Sequence, residues 1–546
     1  MNYIYLSIKV SLFAILLLIA APILRAQPQF ERAFTSDPLI NIKASAPAAD
    51  GGVAYVGVGI VETVTTCLLK LDTSGAIQWS IQLKAASGHL EPIGINIAPD
   101  GDIYITGRYT KSNGPQVFAA RLSDSGSVKW VRSYSLTPMP QVFNIAHTHD
   151  GGAVIIGALG FLQPNSTVIN SGFTLKVDPL GKPVWAAKTS YPSSIGGYNF
   201  RVIEGQDSTI LVSAVIGELT TYRQLVSLVS STRDGVVIDH TLYSTPGSTI
   251  ATALSQRPTG EYILSGYSTL GSLGATPFCA SFTSSSNLQW WNYYYMPSVS
   301  AAPFSHAIEP DGSIVVVCLG PDVGGKPGND SNSALFRITS SGTPLQAVSL
   351  KKRPIYTGGF CTMLPVQPPR MLFTSRIGIF PGYQAHYDVT MLDTTLQGCN
   401  IEPIVITKIP EQPRDTSFGF EYTSLIVTSD TVAVEILPKD ITVTIICGEG
   451  AAVAASKKEM SVALYPNPVS AGTLLTLVMP TTESKSIDIV LRDLTGREVY
   501  RTSREAISVG EQIQMPTAGL ASGVYTIELI DANNHAAVWM GKVAIQ

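Results

Sequence analysis

The stretch KLDTSGAIQW (residues 70–79) reads as the end of one strand, an Asp-to-Gly turn, and a second strand entered through a Trp. The chain repeats this as RLSDSGSVKW (121–130) and KVDPLGKPVW (176–185), then in looser form as LVSSTRDGVVI (228–238), SFTSSSNLQW (281–290), RITSSGTPLQ (337–346) and MLDTTLQG (391–398). A second motif, a turn followed by an apolar strand, keeps step with it. Its copies are ADGGVAYVG (49–57), PDGDIYITG (99–107), HDGGAVIIG (149–157), PTGEYILSG (258–266) and PDGSIVVVC (310–318), with degraded forms at 205–213 and 367–375. Seven copies of each motif recur every 50 to 57 residues.

A period near 50 built of strands and turns is that of a propeller with four strands per blade. The sequence therefore predicts an all-β chain with a seven-bladed β-propeller over residues 27–400. Trp79, Trp130, Trp185 and Trp290 fall at one phase of the repeat and are read as blade-packing side chains, since regularly repeated aromatics are structural before they are ligand-binding. No Trp-led strand follows the last copy. The early segment FERAF (30–34) supplies it, closing the ring beside residues 391–396 and leaving no bare sheet edge. The Leu-Asp-turn-Gly-Trp pattern resembles the repeats of quinoprotein-like propellers, and the period with its DGG turns resembles secreted bacterial propeller proteins. The quinone does not follow from that resemblance, because the acidic metal-ligand cluster of those dehydrogenases is missing.

Composition fits an exported all-β protein. Charged residues are 14% of the 546 and the net charge is −4, which leaves no basic footprint for nucleic acid. Residues 1–26 read as a signal peptide: Lys9, an apolar run from Val10 to Ala21, and small residues up to a cleavage point after Ala26. That run is short of the roughly 20 residues a span requires, so no integral membrane span is expected after cleavage. Export permits disulfides among the six cysteines. Cys399 and Cys447 flank the aperiodic segment 401–447 and are expected to bridge, while the pairing of Cys67, Cys279, Cys318 and Cys361 stays open. That segment is a β appendage or extra propeller strands, and 448–461 has linker composition.

Residues 462–546 form a separate unit with about seven short strands, expected to fold as a small immunoglobulin-like β-sandwich. The order of its pieces resembles the C-terminal sorting domain of type IX secretion cargo. Tyr465, Pro466, Asn467 and Pro468 match the opening motif of that domain, Gly523 and Tyr525 its late-strand motif, and Lys542 its basic residue near the end. The resemblance implies recognition by the type IX secretion machinery and delivery outside the cell or to the outer-membrane surface.

Motifs for catalysis are missing. GPDVGGKP (320–327) mimics a phosphate loop but has Pro327 where Ser or Thr must hold magnesium. His147 and His149 alternate on one strand face, yet occupy ordinary positions leading into a turn. No cofactor, metal ligand set or catalytic residue is assigned. Two functions stay open: a non-enzymatic propeller binding a glycan, protein or cell-surface ligand through its loops, and an extracellular polysaccharide hydrolase or lyase acting at the channel mouth.

Overall fold

The computed structural model describes residues 30–448 and 463–545, apart from segments between strands of which 320–332 is the longest. Every regular element among the described residues is a β-strand. No described helix is long and apolar enough to cross a membrane. The chain divides into two compact units, 1–451 and 452–546.

In the first unit, residues 40–85, 89–135, 140–190, 194–244, 248–295 and 302–350 each form a four-stranded antiparallel meander, here called blades one to six. The seventh takes three strands from 355–393 and its fourth, Phe30–Thr35, from the start of the ring. The register sets Glu31 opposite Thr390 and Phe34 opposite Tyr387. The partner strand is His386–Asp393 and its paired residues are 387–390, earlier than the expected 391–396. The first strand of every blade touches the first strand of the next, and that of blade seven touches that of blade one, so these strands form the inner ring.

The repeat has a physical basis in paired charges. In blades one, two, three and six the last residue but one of the third strand is a cation: Lys70, Arg121, Lys176 and Arg337. Each ion-pairs with the Asp of its own blade's turn, Lys70 with Asp50 at 2.9 Å, Arg121 with Asp100 at 3.5 Å, Lys176 with Asp150 at 2.9 Å and Arg337 with Asp311 at 3.4 Å. The two motifs keep step because each supplies one partner of this bond. Lys70 and Lys176 are buried, so loss of one partner would strand a charge. Second strands lie between sheet neighbours and blade neighbours. They are therefore mostly apolar and buried over their first half, as in Ile210–Glu218, whose first seven residues are all buried.

Segment 401–448 resolves the choice left by its composition: it is a belt. Ile401–Pro403 joins blade six as a fifth strand, Thr407–Glu411 blade five, Arg414–Thr416 blade four, and Glu421–Ser424 blade three. Thr428–Thr431 joins blade two, Val434–Pro438 blade one, and Thr442–Gly448 pairs with Phe30–Thr35 in blade seven. The belt runs backwards round the ring and turns seven four-stranded sheets into seven five-stranded ones. Its crossing residues fill the seams between blades. Val432 and Val434 pack between blades one and two, Leu425 and Val427 between two and three, and Ile404 and Ile406 between five and six. Backbone bonds from Val432 N to Val131 O (3.0 Å) and Leu425 N to Ala186 O (2.9 Å) hold the crossings down.

The second unit has sheets of three and four strands that share one core, led by Ile489, Leu491, Ile527, Leu529 and Val543. Ile487–Arg492 pairs antiparallel with the next strand, Glu498–Arg504.

Candidate functional site

Each inner strand from blade one to blade six skips a residue at one shared phase of its register, a β-bulge that leaves that residue unpaired, and blade four has a second shift near its start. The skipped residues are Lys43, Ile93, Phe143, Phe200, Thr252 and Phe304, each eight positions before the turn Gly or its equivalent. In blades three and four the bulge brings aromatic rings together. The Phe143 centroid lies 5.3 Å from that of Tyr198 and 5.6 Å from that of Phe200. All three rings are half-buried, so a solvent-facing part remains.

Arg201 follows the bulge, with its guanidinium carbon 4.4 Å from the Phe200 ring centroid and Nη1 donating to the Phe200 carbonyl at 2.9 Å. Among the described residues that is its one hydrogen bond, and no carboxylate pairs with it. Burial pulls its pKa down to about 10, which still leaves it cationic at neutral pH. The corresponding residues of the other five blades are Ala44, Gly94, Asn144, Ala253 and Ser305, so Arg201 is the charged member of its column.

His306 stands one column further along, where the other blades carry Ser45, Ile95, Ile145, Val202 and Leu254. It is 6% exposed, its Nδ1 lies 2.7 Å from Ser265 Oγ of blade five, and its Nε2 has no partner. Burial first, then the charges of Arg201 and Arg257, hold its pKa down to about 4, so the ring is neutral at physiological pH. The inner strands also present two carboxylates among the described residues, both engaged. Glu91 meets Arg108 at 2.5 Å and Lys43 at 3.9 Å; Glu204 meets Arg233 at 2.8 Å and His149 Nδ1 at 3.3 Å. Aromatic faces beside an uncompensated guanidinium suit a ligand with flat apolar faces and an anionic group.

The residues singled out from sequence lie elsewhere. Trp79, Trp130, Trp185 and Trp290 are half-buried at the seams, each ring set against the turn Gly of the next blade. A Cβ on Gly126, Gly181, Gly235 or Gly342 would stand 2.8 to 3.4 Å from that indole, which together with a positive φ makes Gly necessary there. The Nε1 groups of Trp79, Trp130 and Trp185 donate to Asp124 O, Pro179 O and Arg233 O of the following blade at 3.0, 3.0 and 2.8 Å. His147 Nδ1 meets Asn96 Oδ1 at 2.6 Å and His149 turns to Glu204, so the two do not converge. Among the described residues no group of His, Cys, Asp and Glu is arranged to hold a metal. The phosphate-loop mimic at 320–327, Cys399, and Pro466, Asn467 and Pro468 lie outside the described residues. Cys447 lies opposite Glu31 in the last belt strand, and Cys67, Cys279 and Cys318 are buried free thiols. Tyr465 ends the first strand of the second unit, and Lys542 pairs with Thr526 across its last two strands. Gly523 opens the strand in which Tyr525 is buried, and the Tyr525 hydroxyl donates to Ala521 O at 2.7 Å, pinning the strand's entrance.

Comparison with known proteins separates the two units. No curated protein matches the chain in sequence. Solved structures similar to it include a fungal alcohol oxidase in complex with copper, at 12% identity and TM-score 0.41 over 94% of this chain and 98% of that one. A glucose dehydrogenase matches at 9% and 0.29 over 56% and 98%, and a xylan β-1,4-xylosidase from Bacillus halodurans at 10% and 0.26 over 73% and 99%. Residues 463–546 match the family model of the secretion system C-terminal sorting domain. The C-terminal unit is thus a sorting domain of type IX secretion, which addresses the chain to the cell surface or the extracellular space.

Proposed function

We propose that the ring is a secreted or surface-held binding module, not an enzyme, and that its inner strands take an acidic glycan. Residues 1–26 serve as the signal peptide, and the sorting domain engages the type IX machinery behind the tether at 448–461. The observation that carries the binding reading is Arg201, a cation without a carboxylate partner among the described residues, lying on the Phe200 ring beside Phe143 and Tyr198. A uronic acid fits this arrangement: its carboxylate meets the guanidinium and its ring stacks on an aromatic face. Glu91 and Glu204 are each held by two neighbouring basic side chains, which supports binding over acid–base hydrolysis.

Calorimetric titration of the mature chain with tetragalacturonate, alongside a reducing-sugar assay, tests this. Binding without release of new reducing ends is expected, with Arg201→Gln weakening it about tenfold or more. Release of reducing ends would make the ring a polysaccharide-cleaving enzyme. Undiminished binding by Arg201→Gln would move the site elsewhere.

A further inference from the structure

The seam between blades five and six departs from the pattern of the others. Where three seams have an indole N–H donating to the carbonyl two residues before the turn Gly, the Trp290 indole N–H has no hydrogen-bond partner among the described residues. The corresponding carbonyl, Ser340 O, accepts instead from Arg257 Nη2 at 2.8 Å. Blade five also lacks the charge pair that fills this region in blades one, two, three and six: Ser281 stands in the cation's place and Thr259 in that of the Asp.

Both changes open space. A cavity of about 520 Å³ lies at this seam, lined by Arg257, Thr259, Glu261, Gln289, Trp290 and Asp311 among others, with Pro258 and Pro310 at its flanks. The groups at its wall are incompletely used. Arg257 is 6% exposed, and its Nε has no hydrogen-bond partner. Gln289 accepts from the Ser281 hydroxyl through Oε1 at 2.8 Å, which leaves its amide N–H groups to donate. Glu261 accepts from the Thr259 hydroxyl, which holds its carboxyl below the usual range and keeps it an acceptor.

We propose that this cavity binds a neutral sugar residue, its apolar face against Trp290 and its hydroxyls bonded to Glu261, Gln289 and Asp311. A sugar hydroxyl both donates and accepts, so it needs the mixture of carboxylate acceptors and N–H donors found here. Indole and proline rings supply the apolar wall that a pyranose face covers. Asp311 is matched by Arg337 and Glu261 stands against Arg257, a balance without the spare cation that an acidic sugar needs, which sets this cavity apart from the Arg201 site. The turns that line it join first to second and third to fourth strands, so it opens at the tight-turn end of the ring.

NMR titration of the full mature chain with cellotetraose, maltotetraose and chitotetraose tests the assignment. At least one is expected to shift resonances at this seam, and Glu261→Ala and Gln289→Ala to weaken its binding about tenfold each. Tetragalacturonate binding should be unaffected by either change. Trp290→Phe keeps a ring on Gly342 while removing the N–H, and should weaken binding less than Glu261→Ala. The proposal is overturned if none of the three tetrasaccharides binds, if binding survives both substitutions, or if Arg201→Gln abolishes it. Loss of the tetragalacturonate interaction alone would remove the inner-strand reading and leave this one standing.

Discussion

His306 meets an environment that opposes its protonation, and that opposition has a pH signature. An unfolded chain protonates His near 6.5, whereas burial, with Arg201 and Arg257 nearby, holds the folded value at about 4. Above 6.5 both states leave it neutral and it contributes nothing to pH dependence. As pH falls from 6.5 to 4 the unfolded chain takes up a proton that the ring refuses, so stability drops, by about 3 kcal/mol in all. Urea unfolding at pH 7 and pH 4.5 should show this loss, and His306→Asn should remove most of it. Asp150 does not confuse the window. Burial opposes its charge, but hydrogen bonds from Thr148 and Lys176 hold it to about 2, so its contribution is kept above 3.8 and lost as pH falls toward 2. A slope equal in wild type and His306→Asn would show that other groups govern the acid limb. The residues of the inner-strand site were present in the sequence but hidden by its framing. Turn and Trp motifs announce themselves because they recur, whereas Arg201 and His306 matter because they break their columns. Those columns become visible once the repeats are aligned on the turn Gly and read at the bulge.

The belt shows how a periodic element escapes notice when its period changes. The 50-residue repeat ends near 400, and the segment after it looks aperiodic at that spacing. Its own period is seven: Ile406, Pro413, Phe420, Val427 and Val434 take one step per blade, as do Leu425, Val432 and Lys439. A strand of three to five residues plus a short crossing needs about that much chain to pass the outer edge of one sheet. The belt's composition suggested strands but not their partners, because edge pairing uses backbone groups common to every residue. The side chains that do specify it are those at the seams. Val432 is 7% exposed and Ile436 is 46% exposed on the same stretch. Val432→Ala is therefore expected to cost about 1 to 3 kcal/mol in urea unfolding, and Ile436→Ala less than about 0.5 kcal/mol. Equal effects would mean that the belt is held by its hydrogen bonds alone.

At the level of the whole molecule, ring and sorting domain answer to different signals. The ring is legible through repetition, with short degenerate motifs made convincing by number and phase. The sorting domain is legible through a few distinctive residues in a single copy. Its described core is built from its own residues, Val469, Leu475, Ile489, Ile527 and Val543 among them. Deleting 462–546 is expected to leave a folded ring confined to the periplasm of its own host. Attaching that segment to a reporter carrying a signal peptide should send the reporter outside. Fractionation followed by immunoblotting reads both results, and normal levels of the truncated ring in the medium would reassign the domain to ligand binding.

The register that sets Phe30 opposite Gly448 joins the first described strand of the chain to the last strand of the belt. Blade seven is thus complete only when both ends of the ring's sequence are present. Its fourth strand is made first, its first three strands late, and its fifth only when residues 442–448 exist. A product that stops anywhere short of this leaves Phe30–Thr35 with at least one edge bare, a site for aggregation. The sorting domain is encoded after that point, so every chain that bears the export address already holds the strand that seals the ring.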